Sequence, residues 1–399
     1  MNQIIRRGNK DFIKELNRSL VIDEIRLKGP ISRTDLSVNT ELGLSTITNI
    51  ISELMNEGLI CEVGSGNSNG GRKPVLLTLK GMSKKAIGIK IENTRLLIST
   101  SDLNGKLDYK QTILFPQKLT AQDITSLIIT EIEKIYELYT GIEFLGIGIA
   151  ASGLVDSGKL TIIDSPIVGW ENIKFKVLEE KFNIPVFLEN DANVFTLAHL
   201  WRGIGKENHT IIGVTVGIGI GAGIVIDRRI YRGEFGGAGE LGHLIIQREG
   251  TPCYCGQRGC LEMYASDHYL VSEIARLKSL GADSQLVKYK NINLSSVSRE
   301  AEAGDYYAKE ILIRQGENLG IGLKNMVNLF NPGAIILGME GLDHSEYLIR
   351  GIKRELNTHF FVKHPKQLDL FFSDLGDDAW LIGACALVLD EFFKIPIYK

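Results

Sequence analysis

Nothing in this chain is apolar for long enough to cross a bilayer. The longest stretch without a titratable side chain, Thr210 to Ile226, is threaded with glycine and falls short of the roughly 20 residues a membrane helix needs. The opening residues, Met1 to Lys14, carry charge throughout and lack the apolar core of a signal peptide. A cytoplasmic location with no membrane partner is the expectation. Cysteine is scarce and odd in number, five in 399 residues, which argues against the disulfide framework of a small secreted domain. Low-complexity tracts and short repeats are missing as well. Neither charge sign dominates, with 45 Lys/Arg against 48 Asp/Glu, and a hydrophobic content of 44% describes an ordinary globular chain, not a disordered or fibrous one.

What is present points to more than one unit. A length of 399 residues exceeds one compact core of typical size, so two or three domains are expected. The net charge of −3 conceals an asymmetry: residues 1–80 carry 11 Lys/Arg against 9 Asp/Glu, and the remainder 34 against 39. A polyanionic partner would therefore meet the N-terminal part.

That part reads as three helices and a hairpin. Ser19–Lys28 is a helix with Leu20, Val21, Ile25 and Leu27 buried, ended by Gly29-Pro30. Ser32-Arg33-Thr34-Asp35 opens a second, carrying Leu36, as a capping box. A third runs from about Ser45 to Asn56 with Ile47, Ile51 and Leu54 on one face. Leu59–Val63 and Val75–Leu79 are short β-rich runs around a Gly/Ser/Asn-rich tip. The plan is that of a winged helix-turn-helix. Opposite its apolar stripe the third helix exposes Ser45, Thr46, Thr48, Asn49 and Ser52, short side chains able to reach phosphates and base edges. Alone they describe any solvated helix face. The tip Gly70-Gly71-Arg72-Lys73-Pro74 adds two cations on a glycine hinge, suited to a narrow minor groove, and makes double-stranded DNA the expected partner.

Beyond residue 80 the pattern changes to α/β. Ala86–Ser101, Phe144–Ala150, Val186–Leu188, Ile211–Val216 and Ile335–Leu337 have strand character. Helical stretches alternate with them, for example Ala121–Tyr139, Ile173–Phe182 and Tyr306–Phe330. In such folds ligands bind at strand ends.

His243, Cys253, Cys255 and Cys260 are closely spaced, with Gly256 and Gly259 permitting tight turns between them. One imidazole and three thiolates match a closed, tetrahedral, structural Zn2+ site, with no open position for a catalytic water. Free buried cysteines and a redox switch are the competing readings. Cys61 and Cys385 lie apart from the cluster and read as small core residues.

Glu189-Asn190-Asp191-Ala192-Asn193 follows directly on a strand, where a carboxylate can accept a proton from a hydroxyl and an amide can anchor another. Asp and Asn at strand ends are also common turn formers. Likewise Gly217-Ile218-Gly219-Ile220-Gly221-Ala222-Gly223 suits either a tight hairpin or a backbone approach to phosphate.

Together these residues resemble the ROK family of repressors, open reading frames and sugar kinases, over nearly the whole chain. Its zinc signature is similar to Gly242-His243 and to Gly250-Thr251-Pro252-Cys253-Tyr254-Cys255-Gly256-Gln257-Arg258-Gly259-Cys260-Leu261-Glu262. Gly29-Pro30-Ile31-Ser32-Arg33 and Gly71-Arg72-Lys73-Pro74 resemble the xylose-repressor-like branch, which adds Arg33 to the DNA-facing set. The resemblance implies a winged helix-turn-helix over 1–80 followed by a two-lobed, actin-like (ribonuclease H-like) sugar-kinase fold over 83–200 and 201–399, with a C-terminal helix packing back on the first lobe. It implies sugar hydroxyls meeting Asn190, Asp191, Glu240, His243 and Glu262, with Gly153 in the loop beneath. Asp191 takes the position of the kinases' catalytic base, and His243 would bind zinc through one ring nitrogen and face the sugar with the other.

The departures fall on the nucleotide side. Where the kinases read Asp-x-Gly-Gly-Thr, this chain has Lys90-Ile91-Glu92-Asn93-Thr94. Ile218 stands where a hydroxyl residue is usual, and Gly338-Met339 where Gly-Gly is usual. No enzyme is expected, and no residue is expected to be catalytic. The resemblance thus implies a sugar-responsive repressor of carbohydrate-utilisation genes, acting as a homodimer or dimer of dimers on operator DNA. An active sugar kinase with a fused DNA-binding domain and a zinc or redox sensor are the alternatives.

Overall fold

The structure, a computed structural model, describes residues 9–65, 73–115, 119–166, 168–339, 345–356 and 368–394. Arg72 and the two glycines before it lie outside the described residues. Asn9 caps α1 (Lys10–Lys28), accepting from the Phe12 backbone N–H, and the helix buries Val21, Ile22 and Ile25. It begins well before Ser19 because its first half is polar and held by ion pairs, Lys14 to Glu53 at 2.7 Å and Arg18 to Glu57, rather than by an apolar face. After β1 (Ile31–Ser32), Ser32 caps α2 (Arg33–Thr40): its Oγ accepts from the Asp35 N–H at 3.1 Å and donates to the Asp35 carboxylate at 2.7 Å. Then α3 (Leu44–Asn56) buries Ile47, Ile50, Ile51 and Leu54. β2 (Ile60–Ser65) and β3 (Val75–Leu79) pair antiparallel, and β1 adds a third strand on the far edge of β3 that its two residues had not announced.

Two five-stranded sheets follow. The first begins as an antiparallel meander of β4 (Lys84–Ile91), β5 (Arg95–Ser101) and β6 (Leu107–Leu114). The strand character expected over Ala86–Ser101 resolves into a hairpin, closed where the Glu92 N–H donates to the Arg95 carbonyl at 3.0 Å. α4 (Ala121–Leu138), capped by a Thr120–Asp123 box, buries Ile124, Ile128, Ile132 and Ile135 and leads to β7 (Glu143–Ala151), parallel to β4. A small antiparallel sheet comes next, β8 (Leu154–Asp156), β9 (Thr161–Ser165) and β10 (Trp170–Lys174). Here too an expectation is corrected. Ile173 belongs to β10, paired with Ile162, and the helix α5 (Lys176–Phe182) starts only after it. β11 (Val186–Asn190) runs parallel to β7 and turns directly into α6 (Asp191–Trp201).

The second sheet repeats the plan. β12 (Ile211–Val216), β13 (Ile220–Ile226) and β14 (Arg229–Ile230) form the meander. After α7 (Glu262–Ala265), α8 (Asp267–Ser279), α9 (Leu294–Glu302) and α10 (Tyr306–Phe330), β15 (Ala334–Met339) lies parallel to β12. α11 (Glu346–Leu356) precedes β16 (Asp369–Phe372), parallel to β15, and α12 (Asp378–Phe393) ends the fold. The orders β6-β5-β4-β7-β11 and β14-β13-β12-β15-β16 are the same topology used twice. α12 returns to the first sheet, against β4, β5 and β7. Among the described residues no helix is long and apolar enough to cross a membrane.

Candidate functional site: an interlobe cleft and a His/Cys cluster

A cleft of about 960 Å³ opens between the two sheets. The β4–β5 turn, the end of β11, the Gly217–Gly219 turn of the second meander and residues 236–240 line it, together with His243 and Glu262. Equivalent turns of the duplicated sheets thus face each other across the opening.

At the end of β11, Asn190 caps α6, accepting from the Ala192 N–H at 2.9 Å, while its Nδ2 donates to the Gly153 carbonyl at 3.0 Å. Gly153 has φ +95°, and a Cβ there would lie 2.3 Å from the Asp164 carbonyl oxygen, so only glycine fits beneath the cleft floor. Glu189, 3% exposed, supports this corner from below. Its Oε1 accepts from the Asn190 N–H at 2.9 Å and Asn193 Nδ2 at 3.0 Å, and its Oε2 from Arg232 Nε at 2.5 Å. Arg232 had no signal in the sequence; it reaches Glu189 from the other lobe only through the fold.

Burial raises the Asp191 carboxyl above its ordinary range, with the Lys90 ammonium pulling it back. Glu240 is open to solvent at the cleft wall, yet its carboxyl is also raised, first by the surrounding protein, then by Glu262 and Asp191, with His243 opposing. Glu262 is 2% exposed; its Oε2 accepts from the Ile220 N–H at 2.9 Å, and its Oε1 has no partner among the described residues. The Tyr254 hydroxyl stands beside this carboxylate, its pKa raised by burial and by Glu262, so the oxygen can be served by Tyr254 or by a donor entering the cleft. All six residues expected to meet a sugar, Gly153, Asn190, Asp191, Glu240, His243 and Glu262, line this one cleft.

The β4–β5 turn is occupied differently. Lys90 is 3% exposed, with its ammonium 3.1 Å from Glu92 Oε1 and 3.5 Å over the centre of the Trp380 ring. Arg95 bonds the same Glu92 carboxylate. Burial works to raise Glu92, but Lys90 and Arg95 outweigh it and hold the carboxyl below the usual range. Trp380, on α12, was not anticipated.

His243, Cys253, Cys255 and Cys260 converge, their ligand atoms all within 4.8 Å of one another. His243 Nδ1 is 3.6 Å from Cys253 Sγ, and Cys255 Sγ is 3.6 Å from Cys260 Sγ. A tetrahedron with zinc–sulfur bonds of about 2.3 Å has edges near 3.8 Å, so the four groups fit a metal ion. Gly259, at φ +78°, lets the loop close, since a Cβ there would meet the Gln247 carbonyl oxygen at 1.6 Å. Tyr254 stands edge-on to His243, ring centres 5.4 Å apart.

On α3, Ser45, Thr48, Asn49 and Ser52 are exposed and Thr46 is half-buried. Thr48 Oγ donates to the Leu44 carbonyl at 2.8 Å and Ser52 Oγ to the Thr48 carbonyl at 2.9 Å, which leaves oxygen lone pairs facing outward. Arg33 is half-buried and paired with Glu62 at 3.0 Å, and Lys73 is exposed.

A xylose repressor of Caldicellulosiruptor bescii is 32% identical over 397 residues, 98% of this chain and 100% of that one. A ROK-family transcriptional regulator homologous to the E. coli MLC protein superposes with a TM-score of 0.83 at 28% identity, covering 97% of this chain and 98% of that one. The ROK glucokinase of Streptomyces griseus, solved with glucose and AMPPNP, gives 0.65 at 28% identity over 76% of this chain and 98% of its own. The α/β architecture is thus one shared by a regulator and a sugar kinase. The model of the ROK family matches residues 86–391, and the chain belongs to that family.

Proposed function

We propose that this protein is a sugar-responsive transcriptional repressor whose kinase-like lobes bind a sugar without phosphorylating it. Residues 1–80 act as a winged helix-turn-helix on double-stranded operator DNA, and the lobes 83–200 and 201–399 close on the effector. The observation that carries the reading is the asymmetry of one cleft. Its sugar end keeps Asn190, Asp191, Glu240, His243 and Glu262, while the Lys90–Glu92–Arg95 ion pairs beside Trp380 fill the turn where a nucleotide's phosphates would need room. The likeness to a repressor and a regulator along nearly the whole chain supports it.

In this reading the carboxylates and the Asn190 amide take the sugar's hydroxyl protons and lone pairs. Asp191, at the position of a kinase base, is left with accepting a hydroxyl hydrogen bond. His243, Cys253, Cys255 and Cys260 would hold a structural Zn2+, which would fix the His243 tautomer. DNA contacts come from Arg33, Ser45, Thr46, Thr48, Asn49 and Ser52 and from Arg72 and Lys73 of the wing. Operator binding places the protein in the cytoplasm, as a homodimer or dimer of dimers, since two-fold half-sites about 34–36 Å apart are matched by two-fold proteins.

The test is a pair of measurements on the full chain. A panel of pentoses, hexoses and amino sugars in a thermal-shift assay identifies the effector, because a ligand of the native state raises Tm. Gel shifts on randomised duplexes, with and without that sugar, then show sugar-dependent operator binding. A protein that binds no duplex, with or without sugar, refutes the proposal.

A further inference from the structure

Two helices cross between the lobes, and each is fastened to a different sheet. α12 lies on β4 and β7, where a Cβ on Gly148 would sit 1.8 Å from the Ala384 carbonyl oxygen. α6 lies on β12 and β13, where a Cβ on Gly213 would sit 2.2 Å from Thr196 Oγ1. These glycines seat α12 on the first sheet and α6 on the second. The helices meet at Gly383, where a Cβ would lie 2.0 Å from the Val194 carbonyl oxygen. Both helices run between the sheets, so a change of angle between the lobes bears on this contact, where packed helices can slide by small amounts.

α6 begins in the cleft, at Asn190 and Asp191, and ends about 16 Å away at Trp201. α12 ends at Phe393, and the two rings lie 6.1 Å apart, centre to centre. Over this pair sits Arg26 of α1, its guanidinium carbon 4.4 Å from the Trp201 ring centre and 5.7 Å from that of Phe393. Asp23, on the same helix, aims the guanidinium with hydrogen bonds of 2.8 and 2.5 Å. Trp201 Nε1 in turn donates to Asp390 of α12 at 3.3 Å. One continuous hydrophobic cluster joins Val21, Ile22 and Ile25 of α1 and the buried face of α3 to Trp201 and Phe393. Arg26 therefore lies at the joint between the N-terminal helices and both crossing helices, where Asp23, Asp390 and Arg228 also bring charge.

We infer that Arg26 reads lobe closure. Its guanidinium is shared between a ring of the helix seated on the second sheet and a ring of the helix seated on the first, so a shear of α6 against α12 releases one ring while the other keeps hold. Cation–π attraction extends to about 6 Å from the ring centre, and Phe393 already stands near that limit. The shift is passed to α1, and through their common core to α3. This rests on the regulator reading above and names the route from cleft to DNA.

The experiment uses the full-length protein, operator affinity by fluorescence anisotropy, and D-xylose, D-glucose and N-acetylglucosamine as probes, with sugar affinity measured by calorimetry. For wild type, the sugar that binds changes operator affinity by about 5–150-fold. Arg26→Gln brings that ratio to within about threefold of unity and leaves sugar affinity without DNA unchanged, whereas Arg26→Lys, which keeps a cation, retains a measurable part of it. Trp201→Phe, which keeps an aromatic face, retains the response, and Trp201→Leu loses it. A wild-type ratio in Arg26→Gln overturns the inference. So does equal loss of DNA binding in Arg26→Gln and Arg26→Lys with sugar or without, because the residue is then a prop of the fold. A wild-type protein whose operator affinity answers to none of the sugars fails at the regulator reading itself, before any variant is made, and takes the inference with it.

Discussion

His243 belongs to two sites at once: its Nδ1 lies 3.6 Å from Cys253 Sγ, and the same ring lines the cleft beside Glu240 and Glu262. A metal held by the cysteines would therefore orient an imidazole that faces the cleft.

Cys255→Ser should lose the metal, lower the stability of the second lobe and weaken sugar binding by releasing His243. Elemental analysis of protein purified without added metal should find one zinc per chain. A metal-free protein that stays folded and binds sugar as well as the loaded one removes zinc from the account.

Asp191 supplies a prediction about pH. Burial raises its folded pKa above the unfolded value, so the ionised form is the one the fold disfavours. The penalty is absent below the unfolded pKa, grows as pH rises through it, and is complete above the folded pKa. Asp191→Asn should therefore melt higher than wild type at pH 7, the gap closing as pH falls towards 4, while sugar affinity drops. A site that costs stability is what a binding residue looks like. Equal melting temperatures at pH 7 and pH 4 would show that no such penalty exists.

Much of this was legible before the fold was known, for physical reasons that differ by residue. Ser32 and Asp35 announce a helix start because a cap is a local hydrogen bond, and Ile47, Ile51 and Leu54 announce a buried face because helical period is local too. The His/Cys cluster was readable because its thiols are nearly adjacent in the chain. The β4–β5 turn was not: Glu92-Asn93-Thr94 holds no glycine or proline, and apolar residues continue on both sides. β10 looked helical because Ile173 stands one helical turn before Val177, and only its pairing with β9 makes it a strand. Trp380 over Lys90, and Arg232 on Glu189, join residues far apart in the chain, so nothing short of the tertiary fold brings them together.

On the DNA side, Asn49 and Lys73 should behave differently. Asn49 is exposed on α3 with its amide free to pair with a base edge, and Asn49→Ala should cost about 1–3 kcal/mol and relax preference at one position per half-site. Lys73 is an exposed cation just before β3, so Lys73→Ala should weaken all sequences alike and reduce the salt slope by about one. Binding titrations on randomised sites at several salt concentrations separate the two. Uniform weakening by Asn49→Ala would move it from base reading to backbone contact.

The last prediction divides regulator from enzyme. With ATP, Mg²⁺ and any sugar that raises Tm, ADP release should be absent even though the proposed reading puts Asp191 where a kinase has its base. Phosphoryl transfer depends on positioning the nucleotide and neutralising its charge more than on the base. Here the turn that would approach the phosphates carries Glu92, held ionised by Lys90 and Arg95, and the Lys90 ammonium is already committed to Glu92 and the Trp380 ring. Its charge is spent inside the protein, and a polyphosphate would meet a carboxylate where it needs backbone N–H groups and space. A coupled assay across hexoses, pentoses and amino sugars measures this directly. Sugar-dependent ADP release at ordinary enzyme rates, about 1–10³ s⁻¹, abolished by Asp191→Asn, would make the protein a kinase with a DNA-binding appendage.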